Sequence, residues 1–395
     1  MTGFEGKRIY FGVCGMGLGH ITRSLPIAQS VVAEGGQVLL STYLESVDYV
    51  HKFGLPVVSA PDLSMNVDVT GSIDIKAATL ISGMGSMLTF LDQVRFEIQT
   101  IQAFEPDLVF ADTRLSSIYA ARLLKIPIVT ILNQFQPRVP REHDTNFFKT
   151  LDGVIMTTLG RSWALSSTIL IPDFPEPYTI SLDSLRIPRR IGARVKLVGS
   201  IIHQNPNQNS HVNKIKEELG VREDQKLIYA GISGPRAEKL PLIKLLIPIL
   251  SKFPDRYKVI MSMGIPNGGS KQVQHGNLIL VPWIENRFDY LEACDLVISR
   301  GGHETLMQSI SYGKPSVIIP MPKHPEQYGN ARRAMEMNVA KSVHQRDVNL
   351  EHLVKRVDEV LESDTIKLVL KEINEKEHLG DGLNRTLETL RECLD

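Results

Sequence analysis

The sequence contains few cysteines and has no excess of charge of either sign. Three cysteines occur in 395 residues, Cys14, Cys294 and Cys393, and none has the paired spacing of a metal site. Such sparse, odd-numbered cysteine usage is typical of a reducing compartment, so we expect a cytoplasmic protein. Lysine plus arginine equals aspartate plus glutamate at 44 each, so the chain has no net positive charge that would attract nucleic acid.

Long apolar runs are also missing. No stretch approaches the roughly 18 apolar residues that cross a bilayer. We therefore expect a protein that is soluble, or at most peripheral at the inner face of the membrane.

The chain does contain a regular alternation of short β-rich runs and helical patterns, which favours parallel sheets built from βαβ units. In the first half the predicted strands are Arg8 to Cys14, Gln37 to Thr42, Asp107 to Ala111, Ile128 to Leu132 and Val154 to Thr157. The predicted helices are Ser24 to Glu34, Leu88 to Phe104 and Ser116 to Leu124. The less regular segment 62–87 fits either a loop beside the site or a plain surface excursion.

A change of composition between Ile171 and Asn209, rich in proline and asparagine, predicts a domain junction. The alternation then restarts, with strands predicted at Lys226 to Ala230, Tyr257 to Ser262, Leu278 to Val281, Leu296 to Ser299 and Ser316 to Pro320. We expect an N-terminal domain over 1–203, a second over 204–380, and a terminal helix over 381–395.

A glycine turn follows the first predicted strand and includes Gly17, Gly19 and His20. It is not a dinucleotide fingerprint, because His20 stands where a glycine is needed and the second strand ends in Ser41-Thr42 without an acidic residue. A histidine held on such a turn, with a side chain that titrates near neutral pH, is a candidate general base.

A second glycine turn follows the strand Leu296 to Ser299 and opens a helix with Arg300-Gly301-Gly302-His303-Glu304-Thr305. A helix N-terminus at the carboxyl end of a parallel strand is suited to binding an anion. The segment from Pro320 to Ala331 repeats the arrangement of strand, loop and helix. Two adjacent turns of this kind can hold a phosphate and a polyol side by side.

Four segments resemble, in their order, those of the GT-B sugar-nucleotide glycosyltransferases, in particular the peptidoglycan-precursor N-acetylglucosaminyltransferases and the plant-type UDP-glycosyltransferases. They are the first glycine–histidine turn, Gly231-Ile232-Ser233-Gly234-Pro235, Val281-Pro282-Trp283-Ile284, and Ser299 to Asn330. The resemblance implies an α/β GT-B fold, with two facing Rossmann-like domains, a central cleft, and a C-terminal helix that crosses back to the first domain.

The same resemblance implies a set of donor contacts, with the nucleotide sugar as substrate and no cofactor. They are Gly17 and Gly19 in the first turn, Ser233 and Gly234 at the diphosphate, Trp283 and Ile284 at the nucleobase, Arg300, Gly302, His303, Glu304 and Thr305 at the phosphate turn, and Glu326 and Gln327 at the sugar hydroxyls. The family's ribose-binding glutamate falls on Gln308, whose amide makes hydrogen bonds weaker by about 1 kcal/mol than a carboxylate would.

For the reaction we expect transfer of a hexose or N-acetylhexosamine from a UDP-linked donor to an acceptor hydroxyl, with His20 as base and Asp112 as its orienting group. The absence of an Asp-x-Asp motif favours a metal-independent enzyme, and the resemblance implies inversion. The acceptor is expected to be lipid-linked or a polysaccharide, and Leu80 to Leu91 would offer it, or the membrane, an apolar surface.

Two alternatives stay open. The segment from Gly17 to Arg23 also resembles the G-x-G-H-x-x-R loop of the UDP-sugar hydrolases of pseudaminic acid synthesis, in which the histidine activates water. Those enzymes are shorter than this chain, and the extra length favours a transferase with its own acceptor domain. The other alternative is a non-catalytic sugar-nucleotide-binding subunit.

Overall fold

The structure is a computed structural model that describes residues 3–62, 82–136, 138, 141, 145–202, 211–232, 234–265, 268–269, 271–376, 379 and 381–395, with only the backbone for 82–86. The prediction for Ser233 lies outside the described residues, as does most of the predicted irregular segment 62–87.

Two seven-stranded sheets account for the architecture. In the first, the strands lie in the order β3-β2-β1-β4-β5-β6-β7 and all pairs are parallel. These strands are β1 (Arg8–Val13), β2 (Gln37–Thr42), β3 (Val57–Ser59), β4 (Leu108–Asp112), β5 (Ile128–Ile131), β6 (Thr168–Ile171) and β7 (Val195–Leu197). Strands buried on both faces explain the nearly continuous apolar runs of the sequence.

Helices cover both faces of the first sheet. They are α1 (Gly19–Ala33), α2 (Glu45–His51), α3 (Ser82–Phe104), α4 (Leu115–Leu124) and α5 (Asn146–Trp163). One apolar cluster joins α1 and α2 to the sheet, and a second joins α3, α4 and α5 to its other face. The first helix begins at Gly19, five residues earlier than predicted, so His20 lies in its first turn.

The predicted strand Val154 to Thr157 is wrong, because these residues lie inside α5. The short apolar run has β character on its own, but Thr145 caps a helix by accepting from the Phe148 amide at 3.4 Å. Buried Gly160 and Trp163 then continue the helical face towards the sheet. The local run was too short to reveal the longer period.

The second sheet has the order β10-β11-β9-β8-β12-β13-β14, with only the β10–β11 pair antiparallel among the described strands. Its strands are β8 (Lys226–Gly231), β9 (Tyr257–Ser262), β10 (Val273–His275), β11 (Leu278–Val281), β12 (Leu296–Ser299), β13 (Ser316–Ile318) and β14 (Ala340–Ser342). The helices that follow are α6 (Val212–Glu218), α7 (Arg236–Leu250), α8 (Arg287–Ala293), α9 (His303–Ser311), α10 (Pro325–Glu336), α11 (Leu350–Glu362), α12 (Asp364–Asn374) and α13 (Gly382–Glu392).

The last helix, α13, returns to the first half. Its Leu387 and Leu390 are buried in the cluster formed by β1, β2 and α1, and Arg391 pairs with Glu34 at 2.5 Å. The predicted class is confirmed: two Rossmann-like α/β halves with a returning terminal helix.

The predicted domain limits, 1–203, 204–380 and 381–395, stay a prediction. The segment between β6 and β7 bears on them, because Phe174 and Ile180 are buried in the core of the second half. The chain then returns to the first sheet as β7. The two halves are therefore interleaved in sequence before residue 203.

Candidate active site

The carboxyl ends of β1 and β4 bring His20 and Asp112 together. These strands are neighbours, with Val13 beside Asp112 in the register. His20 Nδ1 lies 2.8 Å from Asp112 Oδ1, and its side chain is 20% exposed, whereas Asp112 is fully buried. Arg23 Nη2, which can only donate, lies 3.1 Å from the same Nδ1. We assign the proton to Nδ1 on the shorter contact, because a carboxylate can only accept, and this assignment leaves the lone pair on Nε2.

Asp112 is held by more than the histidine. Arg23, one turn after His20 on α1, donates from Nε to Asp112 Oδ2 at 2.7 Å and from Nη2 to Oδ1. Ser24 Oγ donates to Oδ2 at 2.8 Å. Both carboxylate oxygens are thus occupied, and the carboxylate that orients His20 cannot rotate freely.

The electrostatics of this cluster keep Asp112 ionised. Burial alone would raise the pKa of its carboxyl, but Arg23, and then His20, hold that pKa well below its ordinary value. Arg23 is itself 2% exposed, so the pair behaves as a buried ion pair shielded from solvent. His20 is thereby anchored to a carboxylate that stays charged at any physiological pH.

A cavity lies between the two halves and encloses about 670 Å³ including its mouth. Leu18 and Thr22 line it from the first glycine turn. The second half contributes Tyr229, Gly231, Ile232, Gly234, Lys239, Ser262, Gly264, Trp283, Ile284, Arg287, Leu291, Thr305 and Gln308. Of the predicted donor contacts, Gly234, Trp283, Ile284, Thr305 and Gln308 are therefore brought together.

The two halves touch around this cavity. Gly17 has φ +76°, and a Cβ there would lie 3.5 Å from Pro235 Cδ. On the other side, the Trp283 ring meets Tyr49 of α2 edge-on, with centroids 5.7 Å apart, and Lys52 lies over it. The cavity is thus bounded by residues of both halves, as a cleft between facing domains requires.

Gln308 is buried and its Nε2 donates to Glu304 Oε1 at 2.7 Å, one turn earlier on α9. Arg287 Nη2 lies 4.0 Å from the same oxygen. Burial raises the pKa of Glu304, and Arg287 opposes that rise. The predicted ribose position thus holds an amide that is tied to a neighbouring carboxylate.

The Arg300 and His303 side chains are not brought to the cavity. Arg300 Nη2 donates to the Glu238 carbonyl at 2.6 Å and Nη1 to Gln345 at 3.0 Å. His303 Nε2 lies 3.0 Å from the buried Asp173 carboxylate, which comes from the segment after β6. Both side chains instead brace the turn, whose Gly302 is the N-cap of α9.

Glu326 and Gln327, predicted at the sugar hydroxyls, have separate roles in the structure. Glu326 Oε1 accepts from Asn133 Nδ2 across the cleft at 2.9 Å. Gln327 Oε1 accepts from the Met321 amide at 2.8 Å and so closes its own loop. Only Glu326 faces the first half.

Several cavity residues were not predicted. Lys239 and Arg287 lie outside the segments that resemble the family. Tyr229 falls within a predicted strand and had no predicted role in the site. For Arg23 the sequence alone allows three roles: orienting the loop, binding phosphate, or a solvated side chain in the first turn. Its burial, at 2% exposed, excludes the third. Its position three residues after His20, on the same helix face, was the signal that the two act on one partner.

Among the residues that the structure describes, no group of three histidine, cysteine or acidic side chains is placed to hold a metal ion. Within the same ranges, no helix combines the length and apolar character needed to cross a membrane.

Two family models match the chain, one in each half. Residues 238–380 match the glycosyltransferase family 28 C-terminal domain, and residues 7–155 match glycosyl transferase family 1. An uncharacterized glycosyltransferase of Methanosarcina acetivorans is 27% identical over 386 residues, covering 95% of this chain and 93% of the relative. A Bacillus cereus UDP-N-acetylglucosamine–N-acetylmuramyl-(pentapeptide) pyrophosphoryl-undecaprenol N-acetylglucosamine transferase is 25% identical over 330 residues, covering 80% of this chain and 81% of that enzyme.

Solved structures share the fold along the whole chain. The kitacinnamycin glycotransferase superposes with a TM-score of 0.67 at 16% identity, covering 99% of this chain and 100% of that one. The calicheamicin glycosyltransferase CalG4 superposes with a TM-score of 0.66 at 14% identity, covering 98% of both chains.

Two facing Rossmann-like halves around a shared cavity, with a glycosyltransferase model matching each half, define a glycosyltransferase of the GT-B class. More particularly, residues 238–380 match the glycosyltransferase family 28 C-terminal domain, and the chain is similar over 80% of its length to the Bacillus cereus N-acetylglucosamine transferase. It transfers a sugar from a nucleotide-sugar donor to an acceptor.

Proposed function

We propose that the donor is UDP-linked and that the sugar passes to an acceptor hydroxyl with inversion, without a metal, and with His20 as general base. The observation that carries this proposal is the His20–Asp112 contact of 2.8 Å, because His20 stands between Leu18 and Thr22, which line the cavity. With the proton assigned to Nδ1, this contact supports a lone pair on Nε2 for the acceptor.

In the proposed step, His20 Nε2 takes the proton of the acceptor hydroxyl as its oxygen forms a bond to the anomeric carbon. The bond between that carbon and the diphosphate oxygen breaks, and the nucleoside diphosphate leaves as an anion. Asp112, kept ionised by Arg23, stabilises the imidazolium that results. One displacement at carbon inverts its configuration.

The departing diphosphate needs positive potential on the other side of the cleft. Thr305 lines the cavity from the first turn of α9, and Gly234 lines it just before α7. Backbone amides at helix N-termini carry partial positive charge and are suited to a developing phosphate anion. Arg287 adds a formal charge to the same cavity.

The test replaces His20 with alanine. We expect His20→Ala to retain UDP binding, measured by calorimetry, and to lose turnover by about 100-fold or more, the scale of a lost general base. The matched control is His275→Ala, an exposed histidine on β10. Unchanged turnover in His20→Ala would remove this residue from the mechanism.

The same preparation tests transfer against hydrolysis and measures stereochemistry. Wild-type protein with a UDP-sugar and no acceptor should release little free sugar, whereas stoichiometric release would identify a hydrolase. The anomeric coupling constant of the product, read by NMR, should differ from that of the donor if inversion is correct.

For the acceptor, we propose a lipid-linked substrate presented at a membrane surface, with which the protein associates peripherally. Three neighbouring side chains on α3 support this: Met87, Leu88 and Leu91 are 65%, 62% and 52% exposed. They form one apolar surface on the first half, towards the N-terminal end of α3.

Co-sedimentation with anionic liposomes measures this association. We expect Leu88→Asp to lower the bound fraction severalfold, because a charge on an inserting surface opposes burial in lipid. Leu123→Asp is the control, since Leu123 is equally exposed at 66% but lies on α4. Wild-type protein that stays in the supernatant at low salt would contradict peripheral binding.

A further inference from the structure

Lys239 is a buried lysine that lines the cavity and that no family motif explains. It lies in the first turn of α7 and is 2% exposed. Its Nζ donates to the Gly264 carbonyl. An ammonium has three N–H groups, and leaving them without acceptors inside a protein is costly.

The contacts of Gly264 place this ammonium at one end of the cavity. The residues on either side of Gly264 are hydrogen-bonded along the segment that leads to Trp283. Met263 N donates to the Val281 carbonyl and Ile265 N donates to the Pro282 carbonyl, both at 2.9 Å. The Lys239 ammonium therefore lies beside the segment that leads to Trp283, at that end of the cavity.

The charges around Lys239 leave it available to a ligand. Burial lowers the pKa of Lys239, Glu45 of α2 opposes this from across the cleft, and Arg236 on its own helix adds to it. None of the described hydrogen bonds or ion pairs joins its Nζ to a carboxylate. The ammonium thus has N–H groups that can donate to a ligand. They lie at the end of the cavity where the flat, apolar Trp283 ring forms part of the lining.

We propose that Lys239 reads the nucleobase, by donating from Nζ to the 4-carbonyl oxygen of a pyrimidine stacked at the Trp283 end. This rests on the proposed function, in which the donor is UDP-linked. Uracil and cytosine differ at position 4, where uracil has a carbonyl and cytosine an amino group. An ammonium can only donate, so it pairs with the carbonyl and opposes the amino group.

This assignment gives the cavity a means of selecting uridine that does not depend on the ribose contact. Gln308, the amide at the predicted ribose position, would contact a sugar that uridine and cytidine share. Selection between the two bases must therefore come from another residue, and Lys239 is the charged donor at the Trp283 end.

The experiment titrates UDP and CDP into wild-type protein, Lys239→Met and Lys244→Met by calorimetry. Methionine keeps the length of the buried stem and removes the ammonium. Lys244 is an exposed lysine on the same helix and serves as the control. Melting temperatures measured alongside verify that each variant is folded.

We expect the wild type and Lys244→Met to bind UDP at least about tenfold more tightly than CDP, the scale of one hydrogen bond to a charged group. Lys239→Met should lose about tenfold in UDP affinity while its CDP affinity changes by less than about threefold. If Lys239→Met does not fold, Lys239→Gln should bring the two affinities close together, since its amide can accept from cytosine as well as donate to uracil.

Equal weakening of UDP and CDP would show that the ammonium contacts a part common to both and would overturn the assignment. An unchanged preference in both Lys239 variants would overturn it as well. Failure of the wild type to bind either nucleotide would instead contradict the proposed UDP-linked donor, so the two failures are distinguishable.

Discussion

At the residue scale, the central feature is a carboxylate shared by two basic side chains of one helix turn. Asp112 accepts from both His20 and Arg23, and Arg23 holds it through two nitrogens. If the carboxylate had no partner besides the histidine, the two side chains could rotate together. Here the guanidinium fixes the carboxylate plane, and the carboxylate fixes the imidazole.

We predict that Arg23→Met lowers the free energy of unfolding by about 3–5 kcal/mol, because it leaves the buried Asp112 carboxylate without its main partner. Turnover of the folded protein should also fall, with UDP affinity little changed. Arg122→Met, an exposed arginine on α4, is the control for both measurements.

Added guanidinium ion separates positioning from a purely structural role. If Arg23 positions Asp112 for catalysis, the ion should restore part of the turnover of Arg23→Met, and Arg23→Lys should fall between wild type and methionine. A variant that unfolds more easily but turns over at the wild-type rate would show that Arg23 only stabilises the fold.

At the element scale, the turns after β12 and β13 support each other. Asn330 Nδ2 donates to the Gly301 carbonyl at 3.0 Å, and His303 is bound to Asp173 from the first half. In the structure, the Arg300 and His303 side chains thus have protein partners that hold the α9 turn, and their contact with phosphate stays a prediction. Their charge in the sequence pointed to phosphate, but their burial directs them to protein partners.

We predict that Gly301→Ala disrupts this turn. Gly301 has φ +75°, and a Cβ there would lie 2.6 Å from Ile318 Cγ2. Strain and overlap together should cost about 1–3 kcal/mol in unfolding free energy and should weaken UDP binding. Gly192→Ala, where a Cβ meets nothing within 4 Å, should change neither quantity; similar denaturation curves for both variants would contradict the expected strain.

Sequence patterns predicted best the strands in which successive residues share one environment. Strands β1, β4, β8 and β12 are buried on both faces, and their apolar runs are continuous. The run inside α5 looked like one of them, because four residues do not distinguish a buried strand from one side of a helix. Strands β6 and β7 were not predicted. The first ends where the proline-rich stretch begins and the second lies within it, and they become strands by pairing, β6 with β5 and β7 with β6.

At the scale of the whole molecule, the halves are joined by more than one connection. The segment after β6 contributes Phe174 and Ile180 to the second core, and α13 contributes Leu387 and Leu390 to the first. Each core thus includes apolar side chains from a segment that is separated in sequence from the rest of that half. We expect the two halves to unfold together.

Leu390→Ala tests this coupling. Leu390 is fully buried against the first sheet's helices, and its truncation should lower the unfolding free energy by about 2–5 kcal/mol. The control is Leu368→Ala, because Leu368 lies on α12 and is 67% exposed. Its unfolding free energy should stay within about 0.5 kcal/mol of wild type. Fluorescence and circular dichroism should follow one denaturation transition, and an early loss confined to one probe would show that the halves unfold separately.

The sequence by itself determined the class of fold, the two glycine turns and the candidacy of His20, because alternation, glycine and histidine act through local geometry. Only the tertiary structure decided which partners these residues have. Arg23 and Asp112 are 89 positions apart and meet because β1 and β4 are neighbours in a parallel sheet. His303 on α9 meets Asp173 of the segment after β6, 130 positions away, and Lys239 lines the cavity from the first turn of α7. Contacts of this kind depend on strand order and domain packing, which no local pattern encodes.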